Sequence, residues 1–106
     1  MAFSIIFKKK GVKTFFVFQG ANISHLINEI GRDKNCKYIV PHHEQSLAMQ
    51  VDTMGRLTGY GVGMVTSGPG ATNLLTGVCS AFYDSIPCFF VTGCSSTGVS
   101  TKEFLK

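Results

Sequence analysis

The chain has 106 residues, enough for one domain and too few for two. At 44% hydrophobic and 15% charged residues it can bury a core, which excludes a disordered chain. The net charge of +4 gathers in Lys8, Lys9, Lys10 and Lys13. No aromatic residues interleave with those lysines as a stacking platform requires, so a solvated helix end is expected rather than a nucleic-acid surface.

In chain order, Phe3, Ile6 and Phe7 recur at helical spacing over residues 2–10 and stop at Gly11. Residues 14–18 (TFFVF) form a short β-favouring run bounded by Gly20. Leu26, Ile27 and Ile30 predict a helix that begins near Asn22 or Ser24 and ends at Gly31. Tyr38–Val40 reads as a second strand closed by Pro41. A third helix over His43–Leu57 places Leu47, Val51, Met54 and Leu57 on one face. Gly61–Val65 is a third strand, and Ala71–Phe82 a fourth helix with Leu74, Leu75, Val78 and Phe82 inward. Ile86–Val91 is a fourth strand.

Strands that alternate with helices and lack polar alternation predict an α/β fold, a parallel sheet with helices on both faces. Its domain is expected to span residues 1–93. Residues 94–106 are polar and weakly patterned, and are expected to form a truncated or divergent tail. Cys36, Cys79, Cys88 and Cys94 form no CxxC pair and have no zinc-ligand spacing; Cys79 and Cys88 have apolar neighbours. A reducing, cytoplasmic compartment follows as the default. The N-terminus does not have the order of a secretory signal, and no apolar run approaches the roughly 20 residues that cross a bilayer. A soluble protein without membrane contact is expected.

Ligands of doubly wound sheets bind beyond the carboxyl ends of the strands. This singles out residues 19–21, 41–44, 67–73 and 92–94. Glu44 stands after a strand at a helix start, where the helix dipole favours its charge; by position alone it reads as a stabilising first-turn acid. The adjacent His42 and His43 cannot share a helix face as metal-binding HExxH histidines do, so no metal site is expected. In Ser67-Gly68-Pro69-Gly70-Ala71-Thr72-Asn73, two glycines around a proline force a tight turn before a helix. That turn could cradle an anion, admit a planar ring, or serve only as a strand–helix joint. It is neither GxGxxG nor a P-loop, and Val65 stands where a nucleophile elbow needs glycine.

Taken together, His43-Glu44-Gln45, Arg56-Leu57-Thr58-Gly59, Thr66 to Asn73, Asp84-Ser85-Ile86-Pro87 and Thr92-Gly93 resemble acetolactate synthase and its thiamine-diphosphate relatives. The resemblance runs from about Gly11 to Gly93. It implies a flavodoxin-like pyrimidine-binding domain whose Glu44 hydrogen-bonds N1′ of the cofactor aminopyrimidine and so promotes loss of the thiazolium C2 proton. It further implies that Gly68, Pro69, Gly70, Thr72 and Asn73 shape the pyrimidine pocket, that Gly20 lies near the reacting carbon, and that Gln45 flanks the acid. A 2-keto acid is the implied substrate. Magnesium and the diphosphate would be held by a domain with a Gly-Asp-Gly…Asn signature, which this sequence lacks. The implied partners are therefore a diphosphate-binding domain or subunit, or further copies in a homo-oligomer, and the chain alone is expected to be inactive. An FAD is compatible with the family, but nothing in this segment speaks for one. Departures include Gln19-Gly20 where Pro-Gly is usual, Val51-Asp52-Thr53-Met54-Gly55 where Ala-Glu-Gly-Tyr-Ala is usual, and Cys94 where a glutamine is common. They keep open the alternative of a degenerate, non-catalytic interaction or regulatory module.

Overall fold

A computed structural model of the chain describes residues 2–94. The tail expected over residues 94–106 therefore lies, but for Cys94, outside the described residues, as does the side chain of Phe3. The elements run α1 (Ala2–Lys8), β1 (Thr14–Val17), a 3-10 turn (Ala21–Ile23), α2 (Ser24–Arg32), β2 (Lys37–Ile39) and α3 (Glu44–Thr58). They continue with β3 (Gly61–Val65), α4 (Pro69–Asn73), α5 (Leu75–Tyr83) and β4 (Cys88–Thr92).

The strands form one sheet in the order β2-β1-β3-β4. Every pair is parallel, with Phe15 opposite Tyr38, Phe16 opposite Gly63 and Gly63 opposite Phe90. This is the doubly wound, flavodoxin-like order, and its reversal beside β1 brings the C-terminal ends of β1 and β3 together. Alternation along β1 explains the two layers of core. Phe15 and Val17 pack with Phe7, Ile23, Ile30 and Met64 on one side. Phe16 turns to the other, with Leu47, Ala48, Val51, Val65 and Leu74. A wholly buried side chain such as Phe15 or Leu47 contributes roughly 1.5–3 kcal/mol, so these layers hold the sheet between its helices.

Helix α3 lies close on β3. A β-carbon on Gly63 would come within 2.7 Å of both Leu47 Cδ2 and Val51 Cγ2, so this position accepts only glycine without displacement. The approach fixes where the first turn of α3, and Glu44 with it, meets the strand ends. At the other end Gly59 has φ 83° and closes α3 in the left-handed region.

Several apolar residues expected inward are not. Ile6, Leu57, Leu75 and Phe82 are exposed, at 61%, 79%, 59% and 78%. The helix expected over residues 71–82 is two helices, because the Leu74 N–H bonds Ala71 O at 3.2 Å and tightens the ladder for one turn. That rotates α5, so that Gly77 and Ala81 face inward in place of Leu75 and Phe82. Cys79 is exposed, not packed in apolar surroundings as its neighbours suggested, whereas Cys88 is half-buried and burial pushes its thiol pKa up. Among the described residues no helix is long and apolar enough to cross a membrane.

Candidate functional site

The parallel sheet puts four strand-end segments on one edge; those after β2 and β3 meet at Glu44, and the one after β1 packs beside them on Thr66. His43 precedes α3 in an extended conformation, and its Nδ1 accepts the Gln45 N–H at 3.1 Å, capping the helix. This cap turns Glu44, the first helical residue, inward, where only 7% of it is exposed. A carboxylate so placed needs a donor. Asn73 at the end of α4 supplies one, Nδ2 to Glu44 Oε2 at 3.1 Å. His43 Nε2 stands 4.0 Å from the same oxygen.

The second carboxylate oxygen faces the turn after β3. A β-carbon on Gly70 would stand 3.7 Å from Glu44 Oε1 and 3.0 Å from Thr66 Cγ2. Any side chain at residue 70 would therefore fill the space beside that oxygen. Gly68 has φ 62°, a value that favours glycine, and its Cα faces open space. Pro69 opens α4 at its first turn, where its missing N–H costs nothing. Thr72 Oγ1 donates back to Pro69 O at 3.2 Å and its N–H to Gly68 O at 3.1 Å. The turn is thus bonded to itself and runs into a helix of only five residues, which leaves little helix dipole for an anion.

Gly20 also reaches the site edge. A β-carbon there would lie 2.3 Å from Thr66 Cβ, so the β1 loop and the β3 turn touch only because residue 20 is glycine. Gln45 is exposed, and its backbone, not its side chain, has the bond to His43. Glu44, Gly70, Asn73 and Thr66 are thus brought together, with Gly20, Gly68, Pro69 and Thr72 shaping the surrounding backbone. Sequence reasoning gave no role to Thr66, quoted only within the family-like run, whose side chain lies against both Gly20 and Gly70, nor to Asn22, which donates to Ser67 Oγ at 2.6 Å. Thr66 could have been found as the residue on which two strand-end glycines converge.

Arg56, in the second family-like segment, lies away from this edge. Its Nε donates to Asp52 at 2.7 Å and its Nη2 to Asp84 at 2.5 Å. These bonds hold the guanidinium charged and tie α3 to the turn before β4. Among the described residues no group of three or more His, Cys, Asp or Glu is placed to hold a metal ion.

Comparison with known proteins places these features in a context. The profile of the family described as "Thiamine pyrophosphate enzyme, N-terminal TPP binding domain" matches residues 2–106. The chain is 39% identical over 98 residues to an acetolactate synthase of Arthrospira platensis, covering 87% of this chain and 17% of that protein. To the acetolactate synthase isozyme 3 large subunit of Escherichia coli (strain K12) it is 35% identical over 91 residues, 85% of this chain and 16% of the other. To the chloroplastic acetolactate synthase of Arabidopsis thaliana it is 33% identical over 87 residues, 81% and 13%. The chain thus spans less than a fifth of the length of these relatives.

Proposed function

The chain belongs to the thiamine pyrophosphate enzymes of acetolactate-synthase type, as their N-terminal TPP binding domain, and from that premise we propose that Glu44 is the carboxylate that activates the bound cofactor for reaction with a 2-oxo acid. The observation that carries the reading is a carboxylate only 7% exposed, held by Asn73 on one oxygen and lying beside the bare Cα of Gly70 with the other.

The residues fit the group. An aminopyrimidine is flat and needs a cradle without side chains; Gly70 leaves the space beside Oε1 free, and Gly68 carries the left-handed turn that precedes it. Thiamine diphosphate supplies the electron sink on which a 2-oxo acid can lose carbon dioxide. Glu44 holds the proton at a ring nitrogen, where a carboxylate shielded from water interacts more strongly than it would in solvent. Asn73 fixes the orientation of the carboxylate and leaves Oε1 beside Gly70, free for the ring the site would hold. The close packing of Gly20 on Thr66 holds the β1 loop against the β3 turn at the strand-end edge.

The diphosphate and its magnesium are held outside this segment, by another domain or subunit. The chain therefore acts in an assembly, with that domain or with further copies, and is inactive by itself. The Escherichia coli relative is named as a large subunit, which supports this reading. An FAD has no residue assigned to it here. The chain's four cysteines are free, as in a reducing compartment, which supports the expected cytoplasmic location. Calorimetric titration of thiamine diphosphate into the complete assembly tests the reading. Gly70→Val fills the space beside Glu44 Oε1 and is expected to weaken binding by about 10-fold or more, a step of roughly 1.4 kcal/mol. Unchanged affinity would place the ring elsewhere.

A further inference from the structure

The strand order reverses beside β1, and the crevice between the ends of β1 and β3 is where doubly wound sheets take ligands. In this chain a hydrogen bond crosses that crevice. Asn22 Nδ2, in the 3-10 turn after β1, donates to Ser67 Oγ, in the turn after β3, at 2.6 Å. Neither side chain has another hydrogen bond among the described residues, so each is oriented by the other.

Two close backbone approaches flank the bond. Gly20 packs on Thr66, as described above. A β-carbon on Gly93, just past β4, would lie 2.6 Å from Asn22 Cβ. The Gly93 N–H in turn bonds Val65 O at 3.0 Å, which ties the end of β4 to the end of β3. The segments after three strands therefore converge on Asn22. Within that junction the Asn22–Ser67 bond is a side-chain link across the reversal point, and it lies at the surface.

We propose that Asn22 is a positioning residue: through Ser67 it sets the separation of the β1 loop from the β3 turn, and with it the aperture by which a 2-oxo acid reaches the Glu44 edge. The inference rests on the cofactor reading of Glu44 but concerns the substrate side of the site. Asn22 touches neither Glu44 nor Asn73 in any hydrogen bond; it acts through Ser67 and the Gly20 loop. As the structure places it, the amide donates and the serine oxygen accepts. Alanine at either position removes the bond, and aspartate at 22 can restore it by accepting from the serine hydroxyl.

The test has two arms. Amide hydrogen exchange on the full chain compares Asn22→Ala, Ser67→Ala, the double variant and Asn22→Asp. Each alanine variant is expected to speed exchange over residues 20–24 and 66–68 by about 3- to 10-fold, the scale of one neutral hydrogen bond. The double variant should be no faster than either single one, since both remove the same bond, and Asn22→Asp should restore slow exchange. In the assembly with a diphosphate domain and pyruvate as substrate, Asn22→Ala is expected to raise KM by a similar factor while kcat stays within about twofold, the sign of lost binding and not lost chemistry. Additive exchange effects, unchanged loop exchange, or an unchanged KM would overturn the proposal. Glu44→Gln in the same assembly separates this failure from that of the cofactor reading. If that variant keeps full activity, the reading falls and the aperture with it, whatever the loops do. If it abolishes activity while Asn22→Ala leaves loops and KM alone, only the role of Asn22 is lost.

Discussion

Glu44 carries its charge into a place that water barely reaches, and Asn73 Nδ2 is its one side-chain hydrogen-bond donor among the described residues. Burying a carboxylate is costly unless hydrogen bonds replace the lost water, so the asparagine stabilises the folded chain as well as orienting the oxygen pair. Asn73→Ala is therefore expected to lower stability by about 1.5–3 kcal/mol, the scale of a hydrogen bond to a charged group, measured by urea unfolding. Asn73→Asp should be worse, since it sets a second carboxylate against the first. An unchanged unfolding midpoint in both variants would mean that solvent, not Asn73, satisfies Glu44. A helix-capping acid alone would call for none of this arrangement. The dipole favours a negative charge at the start of α3 wherever the side chain points, whereas here it points away from solvent and toward Gly70.

At the scale of elements, the glycine-dependent contacts explain why the helices sit where they do. Gly77 of α5 lies against α3 so closely that a β-carbon would stand 2.3 Å from Ala48 Cβ and 3.1 Å from its carbonyl carbon. Gly77→Ala is expected to cost about 1–3 kcal/mol by overpacking, seen as a melting temperature lower by about 4–8 °C for each kcal/mol. On the opposite face, Lys8 at the end of α1 pairs with Asp33 just after α2. The hydrogen bond to Lys8 is the main cause that holds the Asp33 pKa below its ordinary 3.8, and the bond to Asp33 raises that of Lys8 above 10.5. The Asp33 contribution is therefore complete above pH 3.8 and lost as pH falls through the lowered value; that of Lys8 is complete below 10.5 and lost as pH rises through the raised one. Lys8→Ala should move the Asp33 titration upward, as followed by NMR of its carboxyl carbon, and a curve that does not move would show the pair open in solution. The four strands, their parallel arrangement and the positions of Glu44 and the glycine turn were legible because apolar runs and glycine boundaries encode them locally. The inward faces of α1, α3 and α5 were only partly so. Ile6, Leu57 and Phe82 occupy apolar periodic positions and yet are exposed, and the one-turn tightening at Leu74 that redirects α5 has no marker in the sequence. The Asn73–Glu44 bond spans 29 positions and Asn22–Ser67 spans 45, so no local pattern could show either.

Over the whole molecule, Tyr38, Ile39 and Val40 lie exposed at one sheet edge and Phe89 at the other, and Leu57, Leu75, Phe82 and Tyr83 stand out from the helices. Apolar exposure of this kind accords with a chain that functions against other protein surface, and with a segment covering 13–17% of its relatives. The chemistry proposed for Glu44 is measured in an assembly that contains the proposed diphosphate-binding part. The most direct measurement is the rate at which the cofactor's C2 proton exchanges with solvent deuterium there, in the wild type and in Glu44→Gln, with the melting temperature of the same samples. Glutamine keeps the size of the side chain but removes the charge that holds a proton at the ring nitrogen. Exchange slower by about 10²–10⁴, the usual worth of a positioned acid–base group, with a melting temperature close to that of the wild type, is the expected result. Unchanged exchange together with a lowered melting temperature would contradict it, and would leave Glu44 a residue that stabilises the start of α3.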